Sequence, residues 1–281
     1  MVDKSKGAIF GKIFFQSLAI LCALFFLVPF YFAFINALRE PLTGVPVMTL
    51  PYPMYWSNFV YAVTLVPFWG FVRSSLIITG TTVSLAVVMN FLFGFAFARL
   101  RVRYKEFWFT IVISLMMIPE VATTIPQFTL FSNWGLLNTY WPWVLVGLGG
   151  NSLYIFLYRQ FLQGIPVEME EAAKIDGCSI FSTMWHIFVP LAIPVIAIVF
   201  MFEFIVSWGD ITRPLLFLPE EMWPLATALL GNRYALPERP QVIRQPIQLA
   251  ASFLFILPSF IVYFVGQKHV RAGMITTGLK G

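Results

Sequence analysis

The stretch IFFQSLAILCALFFLVPFYFAFINAL, Ile13 to Leu38, runs 26 residues without Asp, Glu, Lys or Arg. An α-helix rises 1.5 Å per residue and needs about 20 mostly apolar residues to cross the hydrocarbon core, so this run is long enough to span a bilayer. Working outward, Ser74 to Ala98 is free of charge for 25 residues and reads the same way. From Phe107 onward, Glu120 is the one charge before Arg159. The polar turn Ser132, Asn133, Gly135, Asn138 divides that stretch into a third span near Phe107 to Leu130 and a fourth near Trp141 to Tyr158. A fifth runs from about Pro190 to Val206 and a sixth from about Ile247 to Gly266.

Composition agrees. Of 281 residues, 11% are charged and 59% hydrophobic, against roughly 25% charged in an average soluble domain. That excludes a soluble globular enzyme and a disordered chain. Lys4, Lys6 and Lys12 before the first run suggest a cleaved leader, but 26 apolar residues exceed the typical core of about 7 to 15, and no small-x-small cleavage site follows. The run is therefore expected to persist as a helix. Cys22 and Cys178 lie in unlike surroundings, and neither a disulfide framework nor metal spacing is present.

The net charge of +5 is a topology signal. Lys4, Lys6, Lys12, Arg99, Arg101, Arg103, Lys105, Arg159, Lys174, Lys268, Arg271 and Lys280 fall on one side, 12 of the 18 cations. Arg39, Arg73, Arg213, Arg233, Arg239 and Arg244 fall on the other, in longer loops. The positive-inside rule makes both termini cytoplasmic, and no nucleic-acid partner is expected. Between Glu40 and Arg73, five prolines accompany Tyr52, Tyr55, Trp56, Phe59, Tyr61, Phe68, Trp69 and Phe71, as suits a segment at the membrane interface. The expected architecture is an all-α membrane protein with six transmembrane helices.

The connection between spans four and five, residues 164–190, is the most informative. Pro166 suits a first helical position, and Glu168, Glu170 and Glu171 then complement the positive end of the helix dipole. Gly177 supplies a left-handed stop, and Ser179 caps a second short helix through Trp185, ending before Pro190. The result is a helix-turn-helix outside the membrane. Met169, Ala172, Ala173 and Ile175 give its first helix an apolar face of small residues suited to a partner's groove. The alternative, a helix resting on the inner leaflet, fits less well, because leaflet helices favour Lys and Arg and this one carries three acids and one lysine.

Glu171-Ala172-Ala173, with Gly177 four residues after Ala173 and Ile187-Phe188-Val189-Pro190 beyond, resembles the EAA loop of bacterial ABC importer permeases. The longer form Pro166-x-Glu168-x-Glu170-Glu171-Ala172-Ala173-x-Ile175-Asp176-Gly177 is similar to the carbohydrate-uptake branch, especially the maltose-type second permease. Ala98-Arg99-Leu100, Arg159-Gln160-Phe161, Trp208, Pro214-Leu215 and the terminal Lys280-Gly281 extend the resemblance over most of the chain. Val189 stands where Leu is usual, and Gly209 where Asn is common.

The resemblance implies a single permease domain over residues 1–281, with a core at 70–266, the EAA loop at 164–190 and a cytoplasmic tail at 267–281 that touches the nucleotide-binding subunits. It also implies half of a sugar-import pathway, completed by a second homologous permease and supplied by an extracytoplasmic solute-binding protein, in a bacterial or archaeal cytoplasmic (inner) membrane. Glu170, Glu171, Ala172, Ala173, Asp176 and Gly177 would then couple to a cytoplasmic ATP-binding subunit dimer. No Gly-x-x-x-x-Gly-Lys-Ser/Thr occurs in the chain, so ATP and Mg belong to that partner and no cofactor is expected here.

Charges inside a bilayer cost at least about 2.5 kcal/mol at a helix centre, which makes Glu120 and Glu203 candidates for the translocation pathway, or for pairing with a partner subunit. The alternative reading sets each close enough to the interface to be solvated. Asn90 and Asn151 either line the route or bond between helices. Tyr154 and Trp208 are candidates for stacking on a sugar ring, although aromatic belts place such residues too. His186 and His269 have no carboxylate or cysteine at ligand spacing, so no metal site is expected, and no catalytic residues are marked.

An ion-coupled secondary carrier would place more acids and histidines within spans and would leave the EAA loop without purpose. A membrane transferase would cluster catalytic groups at one interface. Within the permease class, polyols and glycerol phosphate esters stand as alternative cargoes.

Overall fold

The computed structural model describes residues 3–42, 48–231, 233–236 and 239–278, and helix dominates it. In chain order the first helices are α1 (Asp3–Ala37), α2 (Ser57–Thr64), α3 (Phe68–Arg99), α4 (Lys105–Ser114) and α5 (Glu120–Asn133). Next come α6 (Trp141–Gly149), α7 (Ser152–Gln163), α8 (Val167–Ile175), α9 (Ile180–Thr183), α10 (Val189–Leu191) and α11 (Ile193–Trp208). After α12 (Thr212–Phe217) and α13 (Leu225–Leu230), strands β1 (Ala235–Leu236) and β2 (Arg239–Ile243) form an antiparallel hairpin ahead of α14 (Gln245–Gly278). The hairpin departs from the all-helical expectation. Pro240 is tolerated in it because both strands of a two-stranded sheet are edges.

Three helices are long and apolar enough to cross a membrane: Gly11–Ala37, Phe68–Arg99 and Gln245–Val270. They correspond to the first, second and sixth expected spans. Two further stretches reach that length as bent pairs, which brings the count among the described residues to as many as five.

The straight third span expected over Phe107 to Leu130 is bent by 98° between Met117 and Glu120. A 3₁₀ turn at Leu115–Met117 tightens the helix, and Pro119, extended at ψ 133°, stops it. The fifth bends by 74° at Ala192, ahead of Pro194. The expected fourth span is two short helices, because Gly150 takes a φ of 76° and Asn151 is extended.

The chain divides into two compact units, residues 1–68 with 232–255, and residues 69–231 with 256–281. In the first, Asn58 is fully buried and its Nδ2 donates to Ala37 O at 2.8 Å and Arg39 O at 2.7 Å. These are carbonyls at the end of α1 that no helical donor reaches. Phe34 packs against Trp56, Phe59 and Phe253, and the buried Tyr234 hydroxyl donates to Ala62 O at 2.7 Å.

The second unit centres on Phe91, Phe95, Tyr154, Tyr158, Leu162 and Phe188, with Val195 and Val199 of α11. Gly94 lets α3 meet α7: a Cβ there would lie 2.4 Å from the Tyr158 Cβ. Within the apolar stretch, the Thr82 hydroxyl donates to Ser207 Oγ at 2.8 Å, joining α3 to α11.

Candidate functional site

The 164–190 connection folds as a helix, a turn and a second winding. Pro166 sits at the residue before the first helical turn rather than in it, with α8 starting at Val167. Gly177 adopts φ 80°, the left-handed conformation that stops the helix without a Cβ penalty. Ser179 accepts from the Ser182 N–H at 3.2 Å, capping α9 as expected.

The second winding does not end at Trp185. A π turn over Met184–Phe188 carries it into α10, through Pro190 to Leu191. Proline has no N–H to give the carbonyl four residues back and its ring crowds that carbonyl, so the wider turn accommodates it.

Burial divides this loop into an inner and an outer face. Ala173 is buried and Glu170 half-buried against their own chain. Glu171, Ala172, Asp176 and Gly177 are exposed, together with Ile175, Ile180, Phe181 and Trp185. Met169 is exposed as well, so the apolar face expected on α8 is split between the two. Lys174 pairs with Glu170 at 2.6 Å along the helix.

A cavity of about 750 Å³ gathers five of the six intramembrane candidates: Asn90, Glu120, Asn151, Tyr154 and Glu203. Trp208 is not among its lining residues; it is buried and stacked on Phe204 with ring centroids 5.5 Å apart. Asn90 is only 1% exposed and acts as a bracket. Its Oδ1 accepts from Asn151 N at 2.6 Å and its Nδ2 donates to Ala86 O at 2.6 Å. Asn151 in turn caps α7, accepting from Leu153 N at 2.9 Å. These two amides hold the break at Gly150 in shape, the interhelical role weighed from the sequence.

Tyr154 and Glu203 line the same cavity. Arg213 also lines the cavity, its Nε donating to Asp210 Oδ2 at 2.7 Å and its Nη2 lying 3.4 Å from Glu120 Oε1. Arg213 is the one cation among the described lining residues, and two carboxylates already neutralise it.

Sequence reasoning missed Arg213; Asp210 three residues before it was the one local signal, and its approach to Glu120 depends on packing. Sequence reasoning also left Arg159 as a topology marker. Arg159 is 8% exposed, its Nη2 donates to both Glu106 carboxylate oxygens at 2.8 and 2.7 Å, and its guanidinium lies 3.7 Å from the centre of the Phe109 ring. A signal existed there: Ile155, Arg159 and Leu162 share the buried face of α7, and a cation on such a face needs an acid.

Residues 90–274 match the family described as the binding-protein-dependent transport system inner membrane component. The chain belongs to that family. As an inner membrane component of a binding-protein-dependent transport system it is a transport protein and not an enzyme. The match takes in the end of α3 from Asn90 on, the cavity lining except Thr82 and Ala86, and the 164–190 loop.

Protein LplC of Bacillus subtilis is 32% identical over 72% of this chain and 71% of its own. The arabinooligosaccharides transport system permease protein AraQ of Halalkalibacterium halodurans is 27% identical over 85% of this chain and 84% of its own. In fold, the inner membrane component is similar to a chain of a bacterial ABC transporter involved in the import of the acidic polysaccharide alginate. The TM-score is 0.79 at 24% identity, over 94% of this chain and 97% of that one.

Proposed function

We propose that this chain is one permease subunit of an ATP-driven ABC importer for a carbohydrate, a multi-pass protein of a bacterial or archaeal cytoplasmic membrane. In this reading it spans six times, counting the bent and broken stretches as single crossings, with both termini cytoplasmic. Residues 1–281 are one transmembrane domain with its core at 70–266. It pairs with a second homologous permease, receives cargo from an extracytoplasmic solute-binding protein, and works with a cytoplasmic ATPase dimer that uses ATP and Mg. The tail at 267–281 contacts that dimer; Lys280 and Gly281 lie outside the described residues.

The observation that carries this reading is the outer face of the 164–190 loop. Glu171 and Asp176 stand exposed beside Ile175, Ile180, Phe181 and Trp185, while Glu170 and Ala173 hold the loop to its own chain. Mixed apolar and acidic surface of this kind suits a protein groove. A carbohydrate cargo is supported by the arabinooligosaccharide relative, and by a cavity that offers carboxylates and an aromatic hydroxyl but no unneutralised cation for a phosphate ester among its described lining residues.

The test is uptake of labelled arabinooligosaccharide by proteoliposomes holding the full complex. Uptake that requires ATP and the binding protein, and that Glu171→Lys removes, is the expected result. Uptake driven by an ion gradient without ATP would overturn it.

A further inference from the structure

Arg99, counted from sequence among the topology markers, is the last residue of α3, and its side chain is only 9% exposed. Its Nε donates to Leu162 O at 3.1 Å, and its Nη2 donates to both Leu162 O and Ile165 O. These carbonyls lie at and just beyond the end of α7, where helical donors run out and a cation also complements the dipole. Its Nη1 lies 3.9 Å from Glu170 Oε2 in the first turns of α8, and its guanidinium lies 4.9 Å from the centre of the Phe188 ring in the π turn. One planar side chain therefore ties α3 to the end of α7, to α8 and to the winding after α9. A lysine, a single point charge, has no such fork.

The same helix also lines the cavity through Thr82, Ala86 and Asn90. From Asn90 to Arg99, α3 is unbroken, a rod of about 14 Å at 1.5 Å per residue. We propose that Arg99 is the positioning residue that transmits the state of the cavity to the docking loop, making α3 the mechanical link between them. The inference rests on the docking role given to the loop above. Within it, displacement of α3 carries the first turns of α8 and the π turn with it, because the guanidinium leaves neither free to lag.

The test uses the assembled complex in nanodiscs, reading the ratio of ATP hydrolysis with loaded binding protein to hydrolysis without it. Arg99→Ala and Arg99→Lys should each lower that ratio about tenfold, within the usual range for a coupling between two sites. Arg101→Ala, which removes an exposed neighbouring cation, should leave it unchanged. Basal and stimulated rates falling in proportion, with the ratio intact, would reduce Arg99 to a stability role and overturn the proposal. Failure of both Arg99 variants to assemble would overturn it too. A wild-type complex showing no stimulation would instead remove the docking reading itself, and is told apart because it needs no variant.

Discussion

Glu171 and Asp176 of the 164–190 loop are held in the opposite way to the carboxylates paired with Arg213 near the cavity. Glu171 and Asp176 are exposed and, among the described residues, make no ion pair. Around the cavity, Asp210 accepts from Arg213, Glu120 lies 3.4 Å from the same guanidinium, and Glu203 shares the lining with Tyr154. Exposed charge without an internal partner adds little to the stability of its own chain, which agrees with the docking role proposed for it. Poorly solvated charge needs a partner or a hydrogen bond, so Asp210, with its side chain 10% exposed, first holds Arg213 at the cavity wall. In the reading proposed above, the loop is the interaction surface and the cavity a space shaped by its own chain.

The sharpest way to break that contrast is to change the free acid and the free turn. Glu171→Lys should abolish transport while membrane insertion and the amount of folded protein stay at wild-type levels. Gly177→Val should act similarly, since a branched residue at φ 80° costs roughly 1–2 kcal/mol and displaces the loop. The space around Gly177 is open, so the effect is conformational and not steric. Gly177→Asn should be milder, because Asn tolerates the left-handed region. Uptake assays alongside membrane fractionation check all three, and full transport by Glu171→Lys would remove the distinction.

On the other side, Arg213→Gln should act through stability as well as transport. It leaves Asp210, whose side chain is 10% exposed, without its ion pair. Loss of a partner at a poorly solvated site costs roughly 3 kcal/mol. A lowered melting temperature in detergent is the expected reading, whereas Glu171→Lys should leave melting unmoved.

A smaller effect is expected at Gly94, where an added methyl meets the Tyr158 Cβ at 2.4 Å. Gly94→Ala should lower stability by about 1–3 kcal/mol, the cost of overpacking a close helix contact. Melting in detergent and the yield of assembled complex both report it.

Smallest is Tyr234→Phe, expected to cost about 1 kcal/mol by losing the hydrogen bond to Ala62 O. Burial pushes the Tyr234 phenol above its usual range, which favours the protonated form in the folded state. Its contribution is then fully present below the unfolded value of about 10 and declines as pH rises above it. The variant should lose that part of the alkaline decline, which melting measured from pH 8 upward would show.

Local chemistry made much of the molecule legible. The charge-free runs identify the long helices because an apolar stretch of sufficient length has few other solvents available to it. The turn at Gly177 and the cap at Ser179 follow from interactions within four residues, which sequence order alone supplies. Arg159 belongs to the same class in retrospect, since its spacing from Ile155 and Leu162 set it on a buried face.

Other features needed the packed chain. The 98° and 74° bends depend on whether a proline breaks a helix or is absorbed by it, and Pro29 and Pro258 lie inside long helices while Pro119 ends a stretch. Asn90, Glu120, Asn151, Tyr154 and Glu203 stand on or beside α3, α5, α7 and α11, and no spacing rule reaches across more than a hundred residues to gather them. Trp208, alike in type to Tyr154, turned instead against Phe204. Arg99 stands out in the sequence only as part of the family resemblance and the charge pattern, and Arg213 only as a loop cation. Asp210, three residues before Arg213, is a local partner, but Glu120 and the carbonyls and carboxylate around Arg99 come within reach only in the tertiary structure, because an arginine's role depends on which acceptors packing places around its fork.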